Sequence, residues 1–411
     1  MKTGTLFFLG PLAVFAAPTV LETRQSPGLL SAGATALLKE MAPFKTESAP
    51  PTVKRPGAKR IKIFYGPIEL LGANVTRAWS PFRMDPKGNS WTNIAGGLPS
   101  DITVLSANTT LQYEDGSNAG LETGVYNHHV MFGDVTRRSI VPLVCVNPAW
   151  STAGKSTNDG PGGGHGGMNM GGGGHGGGPA SMPMSVFMGT SADTGTTGAT
   201  QFSTPDGMFN SDKGYYLTPE TKIIMAGEVV NYTNETKKIF AVSDMEYIPG
   251  KPEGLLETAV MIASVTQCDI NQNLKAPEGK TQFGFTSKEM EITGDGWILT
   301  RRGHVHDGGT TVSIIVNNAT ICDSTAIYGT NGQTLKNADG SQWQTVSAMS
   351  ECNEPTKVKK GDKVVIDARY DLDLHPARKH IGGGMAEEMG MMSFLFASDP
   401  GGKGGGVPPL V

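Results

Sequence analysis

The eight histidines of this 411-residue chain come in close groups. His128 and His129 are adjacent, and His304 and His306 are separated only by Val305. His165 and His175 sit in a glycine tract with Met168 and Met170, while His375 and His380 precede Met385, Met389, Met391 and Met392. Imidazole and thioether together are soft donors of the kind that hold copper, and a thioether third ligand favours copper over zinc or calcium and Cu(I) in particular. Residues two apart on a strand point to one face, so His304 and His306 can reach a single ion, and Asp307, Gly308 and Gly309 leave room beside them. The same pattern also fits two surface histidines on an edge strand. Adjacent strand residues face opposite ways, so His128 and His129 can share an ion only at a strand end or a bulge; otherwise one binds and the other is structural.

The chain must supply strands to position these groups. Residues 61–71, 125–132, 139–146, 222–232, 238–247, 258–268, 310–316 and 363–370 are short runs rich in Val, Ile, Thr and aromatics, with Gly, Asn, Asp and Pro between them. No long helical period follows residue 60. This pattern predicts an all-β protein of two tandem antiparallel β-sandwich, jelly-roll-like domains. They are expected at 61–272 and 273–400, divided in the polar stretch around Pro277, with a flexible tail at 401–411. Residues 152–185 interrupt the first domain with GPGGGHGGMNMGGGGHGGG, which offers no side chains for a core. Two readings fit: a copper-collecting arm, or a plain spacer.

The chain opens with Lys2, a short apolar run to Ala16 and small residues at Ala16 and Ala17, the pattern of a signal peptide over 1–17. Residues 18–60 read as a leader or a propeptide, with one helix-like patch at 29–41 and a dibasic pair at Lys59-Arg60. The apolar run is too short for a membrane span. Glycosylation sequons start at Asn74, Asn108, Asn231, Asn234 and Asn318, and secretion is the expectation. The four cysteines should then be paired; of three connectivities, Cys145–Cys268 with Cys322–Cys352 is the one expected. A net charge of −4 argues against a nucleic-acid partner. A soluble monomer is expected, with no membrane partner. The chain has no GxSxG elbow, no HExxH zinc motif and no phosphate loop.

Three patches carry a family resemblance. His128-His129-Val130-Met131-Phe132-Gly133, Arg302-Gly303-His304-Val305-His306, and His380-Ile381-Gly382-Gly383-Gly384 followed by Glu387-Glu388-Met389 resemble the HHMLLFG, RxHxH and HIGGTSSDEM segments of the copper type II, ascorbate-dependent monooxygenases. Those are the peptidylglycine α-hydroxylating and dopamine β-hydroxylating enzymes. The chain is also similar to the stress up-regulated nodulin (Nod-type) proteins, which share the first two patches. The resemblance spans roughly residues 61–397 and implies two sandwiches with a cleft between them. It implies a catalytic copper held by His304, His306 and Met389, with Arg302 as an anchor for a substrate carboxylate. It also implies His380 as a group that orients the Met389 loop without ligating. The family's substrate-binding Asn and Tyr after the Met are replaced by Met391 and Ser393, which argues against a peptidylglycine substrate.

The second, electron-supplying copper would use His128, His129 and a third histidine. The matching stretch is Glu228-Val229-Val230-Asn231-Tyr232, with Asn231 where that histidine should be. This site is then either completed by a histidine of the glycine tract or lost, so one tight copper is expected. Two functions follow: a copper-dependent monooxygenase-like enzyme using ascorbate or another reductant on a small-molecule or peptide substrate, or a non-catalytic extracellular copper-binding protein. A structural β protein with vestigial sites is the third reading.

Overall fold

The computed structural model describes residues 38–53, 55–77, 85, 87–136, 143–146, 185–191, 200–202, 213–269, 274–329, 335–336, 342–378 and 387–398. Their regular structure is β-strand apart from one 3-10 turn at Leu121–Thr123. The strands of the first half are β1 (Glu40–Met41), β2 (Pro43–Ala49), β3 (Lys59–Leu70), β4 (Gly88–Ala95), β5 (Ile102–Gln112), β6 (Val125–Asp134), β7 (Leu143–Cys145), β8 (Ser185–Thr190), β9 (Thr200–Gln201), β10 (Lys213–Leu217), β11 (Ile223–Asn231), β12 (Lys237–Pro249) and β13 (Leu256–Ser264). Those of the second half are β14 (Gln282–Thr286), β15 (Met290–Ile292), β16 (Gly296–Val305), β17 (Gly309–Val316), β18 (Ala319–Tyr328), β19 (Leu335–Lys336), β20 (Gln342–Trp343), β21 (Val346–Met349), β22 (Glu351–Cys352), β23 (Thr356–Val358), β24 (Lys363–Asp371) and β25 (Gly390–Ser398).

Two sandwiches result, as the alternating sequence patterns predict. In the first, the sheet β1-β4-β11-β6-β8 faces β2-β3-β12-β5-β10. Their shared core includes Val130, Phe132, Met225 and Val229 from one sheet with Ile63, Tyr65, Val104 and Ala241 from the other. In the second, β13-β25-β16-β22 faces β21-β18-β17-β24-β15-β7, with Met261, Phe394 and Ile298 against Ile314, Val364 and Ile366. Apolar side chains on alternate residues face inward, which is what drives both layers together.

The division between the two sandwiches is not the one expected at residues 272–273. β13 belongs to the second sandwich, pairing antiparallel with β25 from Thr258 to Ser264. The polar stretch around Pro277 is a connection within that sandwich, a distinction composition alone does not make. A short parallel contact, Lys213 to Leu256 and Gly214 to Glu257, makes one continuous sheet of the two halves. β7 also crosses over, pairing with β15. Disulfides join Cys145 to Cys268 and Cys322 to Cys352, the pairing expected from the sequence.

The segment expected as a leader is part of the fold from residue 38 on. Glu40–Met41 is a strand rather than the end of a helix, and pairs with β4. β2 lies along β3. Thr52 and Val53 donate their backbone N–H groups to the Glu246 carboxylate. The dibasic pair opens β3: Lys59 and Arg60 are laddered to Tyr247 and Glu246, and Arg60 forms a two-point bond to Asp244 at 2.8 and 2.7 Å. The signal-peptide residues, the glycine tract core and the C-terminal tail lie outside the described residues. No helix among the described residues is long and apolar enough to cross a membrane.

A protease needs an extended, unpaired substrate segment, which a laddered strand does not offer. Brief trypsin treatment of the folded protein should therefore leave the Arg60–Ile61 bond intact and cut it only after denaturation. Rapid cleavage there in the native protein, read by N-terminal sequencing, would show that β2 and β3 are not held as described.

Candidate metal centre

His128 and His129 lie on β6, opposite β11. The ladder pairs Glu228 with His129 and Val229 with Asn127, so His128 is the extra residue of a β-bulge. A bulge sets two residues against one and re-aims their side chains. It is the exception to strand alternation that lets adjacent histidines serve one site, and their ring centroids are 5.2 Å apart. The buried carboxylate of Glu228 comes up from the facing strand. One ligand atom from each of His128, His129 and Glu228 lies within 4.8 Å of the others. The Nδ1 of His128 and Nε2 of His129 are buried and have no hydrogen-bond partner among the described residues.

His304 is the penultimate residue of β16 and His306 follows the strand's end. Their rings are 5.6 Å apart and nearly perpendicular, at 81°. The Nδ1 of His306 lies 2.5 Å from the Glu387 carbonyl. A carbonyl only accepts, so Nδ1 carries the proton and Nε2 keeps its lone pair for a metal. The backbone N–H of His306 donates to the Met389 carbonyl at 3.2 Å, and the Tyr370 hydroxyl donates to the same oxygen at 2.7 Å. Half-buried Met389 is thereby held next to His306 in the chain's packing.

The two pairs belong to one place. A cavity of about 500 Å3, counting the solvent space at its mouth, is lined by Tyr126 and His128 from the first sandwich. His304, His306, Asp307, Arg378 and Glu387 line it from the second. Burial pushes the His129 imidazole down to about 4, helped by the neighbouring His128 and His304 and opposed by Glu228. Burial likewise pushes His306 down to about 3, with His304 and His128 adding to the effect. Both rings are neutral donors at ordinary pH. Asp307 is buried and accepts the Val346 N–H at 2.9 Å. Beside it Glu388, also buried, is pushed up to about 8 by burial and by the Asp307 charge.

Other expected residues fall elsewhere. Arg302 shares the half-buried face of β16 but pairs with Glu351 at 3.0 Å and does not line the cavity. Arg378 is the guanidinium that does. It is paired with Asp85 at 3.0 Å and lies 5.5 Å from the Tyr126 ring centroid. Asn231 is no stand-in ligand. It lies three residues beyond Glu228, on the other face of β11, and its buried amide nitrogen donates to the carbonyls of Leu70 and Glu235. That amide is also not presented to a glycosyl donor, whereas Asn74, Asn234 and Asn318 are exposed and Asn108 is half-buried. His375 stacks on Tyr328 at 3.6 Å, a packing role. His380, Met385 and the histidines of the glycine tract lie outside the described residues.

Sequence reasoning missed Glu228 and Arg378. A signal for the first was present: a single carboxylate in the apolar run Ile223-Ile224-Met225-Ala226-Gly227-Glu228-Val229-Val230, all of it buried. A charge in such a run needs a partner or a metal.

No family model matches the chain. It is similar to a "Probable copper-dependent oxygenase M1" of Phoma sp. (strain ATCC 20986 / MF5453), 22% identical over 313 residues, which cover 74% of this chain and 67% of that protein. Among solved structures it is similar to PNGase F, a glycosylasparaginase from Flavobacterium meningosepticum, at 9% identity and a TM-score of 0.32, over 83% of this chain and 96% of that one. It is also similar to a peptide-N(4)-(N-acetyl-β-D-glucosaminyl) asparagine amidase at 9% identity and a TM-score of 0.29, over 76% and 90% of the two chains. Superpositions this loose carry no functional content.

The depressed histidines make a pH prediction for the metal-free protein. An unfolded histidine titrates near about 6.5, while folded His129 and His306 stay neutral to about 4 and about 3. Below the unfolded value the unfolded chain takes up protons that the folded chain does not, so stability falls as pH falls. By about pH 5 the loss should be roughly 2 kcal/mol per histidine. Urea denaturation of the chelated protein at about pH 7 and about pH 5 measures it, and His129→Gln and His306→Gln should each flatten the dependence. Equal stability at the two pH values in the unmodified protein would contradict the burial of these rings.

Proposed function

We propose that this protein is a secreted, copper-dependent oxygenase-like enzyme whose working copper is held by His304, His306 and Met389. The observation that carries the reading is the meeting of His128 from the first sandwich with His304 and His306 from the second in one cavity, with His129 beside His128 and both His129 and His306 held neutral by burial. The similarity to a protein described as a probable copper-dependent oxygenase supports the same reading, as do the three sequence patches. Two disulfides fit an oxidising, extracellular setting.

Copper bound there supplies one-electron redox chemistry toward O2, with electrons from ascorbate or another external reductant. The chain's own contribution is positional. The Glu387 carbonyl fixes the His306 tautomer, and the paired bonds to the Met389 carbonyl hold the thioether's backbone beside it. Two imidazoles with a thioether favour the reduced ion. Arg378, rather than Arg302, faces the space a small-molecule or peptide substrate would enter.

The test is anaerobic Cu(I) titration of the chelated protein. One Cu(I) should bind tightly, be lost in His304→Ala, and bind at least about tenfold more weakly in Met389→Ala. The unmodified protein should then consume O2 with ascorbate, and His304→Ala should not. Tight Cu(I) without O2 consumption would leave the non-catalytic copper-binding reading in its place. Retention of that Cu(I) in His304→Ala would remove the site assignment itself.

A further inference from the structure

Outside the proposed copper ligands, one cluster combines buried donors, unsatisfied atoms and a supporting frame. We infer that Glu228 is the third ligand of a second metal site with His128 and His129, one suited to a divalent ion, and, resting on the copper reading above, that this ion is Cu(II).

The fit rests on geometry. A buried carboxylate in an apolar strand is costly unless something pairs with it. Glu228 is fully buried. Its Oε1 accepts the Asp85 backbone N–H at 2.7 Å, which fixes the carboxylate plane. Its Oε2 lies 3.7 Å from the His128 Nδ1, too far for a hydrogen bond and suited to an ion between the two atoms. His128 Nδ1 and His129 Nε2 are both buried without a hydrogen-bond partner among the described residues, and each such atom costs stability unless something satisfies it. The three donors converge to within 4.8 Å, so an ion would satisfy them together.

The surroundings make room for that carboxylate. A Cβ added to Gly88 would come within 2.1 Å of the Glu228 Oε1, so the glycine is what allows the carboxylate to sit there. Asp85, whose amide holds Glu228, is itself gripped by Arg378 at 3.0 Å from the second sandwich. A chain of contacts from ligand to supporting residue to the opposite sandwich is how metal ligands are oriented.

The donor set decides the oxidation state. A carboxylate oxygen is hard and charged, and with two imidazoles it favours a divalent ion over Cu(I). The proposed His304, His306 and Met389 set is soft and has the opposite preference. The two sites in this cavity would therefore hold copper in different resting states.

The test separates the sites by oxidation state and by background. In full-length protein carrying His304→Ala and His306→Ala, one Cu(II) should still bind, with nitrogen hyperfine structure from two imidazoles in its paramagnetic resonance spectrum. Adding Glu228→Gln, which keeps the shape and removes the charge, should weaken Cu(II) at least about tenfold and change that spectrum. Adding Glu228→His should keep a copper but move its preference toward Cu(I), as competition with a Cu(I) chelator would read. Melting of each metal-free variant shows that it is folded. Unchanged Cu(II) affinity and spectrum in a folded Glu228→Gln variant would overturn the inference. So would a folded background protein that binds no Cu(II). Neither result bears on Cu(I) binding by the unmodified protein, so the proposed His304 site stands or falls separately.

Discussion

The pairing of β13 with β25 is the contact on which the rest depends. β13 follows directly on the last long strand of the first sandwich, yet its ladder from Thr258 to Ser264 is with the final strand of the second. Next to it, β16 runs along β25 and carries His304 as its penultimate residue, before Val305. One backbone ladder therefore sets where His304 and His306 stand relative to the first sandwich, from which His128 looks across. The Cys145–Cys268 bond ties the crossing strand β7 to the end of the same segment. Sliding β13 by one residue would take the buried Ala259, Met261 and Ala263 out of the second core and put Thr258, Val260 and Ile262 in their place, so those three hold this register.

Docking the sandwiches takes the imidazoles out of water, and that desolvation governs their chemistry. It keeps His129 and His306 neutral and leaves nitrogen lone pairs in a place where few protein donors reach them. Buried polar groups of this kind are tolerated when something else satisfies them. The neighbouring Arg378 and Asp85 solve the same problem within the protein: burial opposes the guanidinium charge, and Tyr126, Tyr232 and Asp85 more than offset it. Among the described residues His128 Nδ1 and His129 Nε2 have no hydrogen-bond partner, with the Glu228 carboxylate 3.7 Å from the first, and the proposed ion would satisfy them.

The sequence made some of this legible and hid the rest for identifiable reasons. The strands and the all-β sandwich class follow from local patterns of alternation and turn residues, and the cysteine count points to two disulfides whose connectivity the fold decides. The histidine pairs were visible because their spacing is local. Glu228 was not assigned because its role depends on which residue of β11 faces His129, a register that no stretch of sequence states. The same holds for Arg378, whose partner Asp85 lies 293 residues away. Residues 40–60 looked like leader because they are rich in Pro and Lys, but an edge strand such as β2 needs only one ladder and one half-buried face, so its composition can be nearly that of a loop. The boundary between the sandwiches was misplaced because strand exchange leaves no compositional mark.

Across the first sandwich apolar residues turn inward and polar ones outward, and bulges also interrupt the ladders of β12 with β3 and β5, of β2 with β3 and of β6 with β8. Around His128 the rules are broken together. The ladder loses a pairing at the bulge, a charge sits inside the all-apolar strand β11, Gly88 occupies a strand position where a side chain would ordinarily be favoured, and ring nitrogens go without partners. The departures fit one another: Gly88 leaves room for the Glu228 carboxylate, and the bulge brings His128 to 3.7 Å from it. Their coincidence within a few ångströms has a single chemical account in an ion that needs those donors at that spacing.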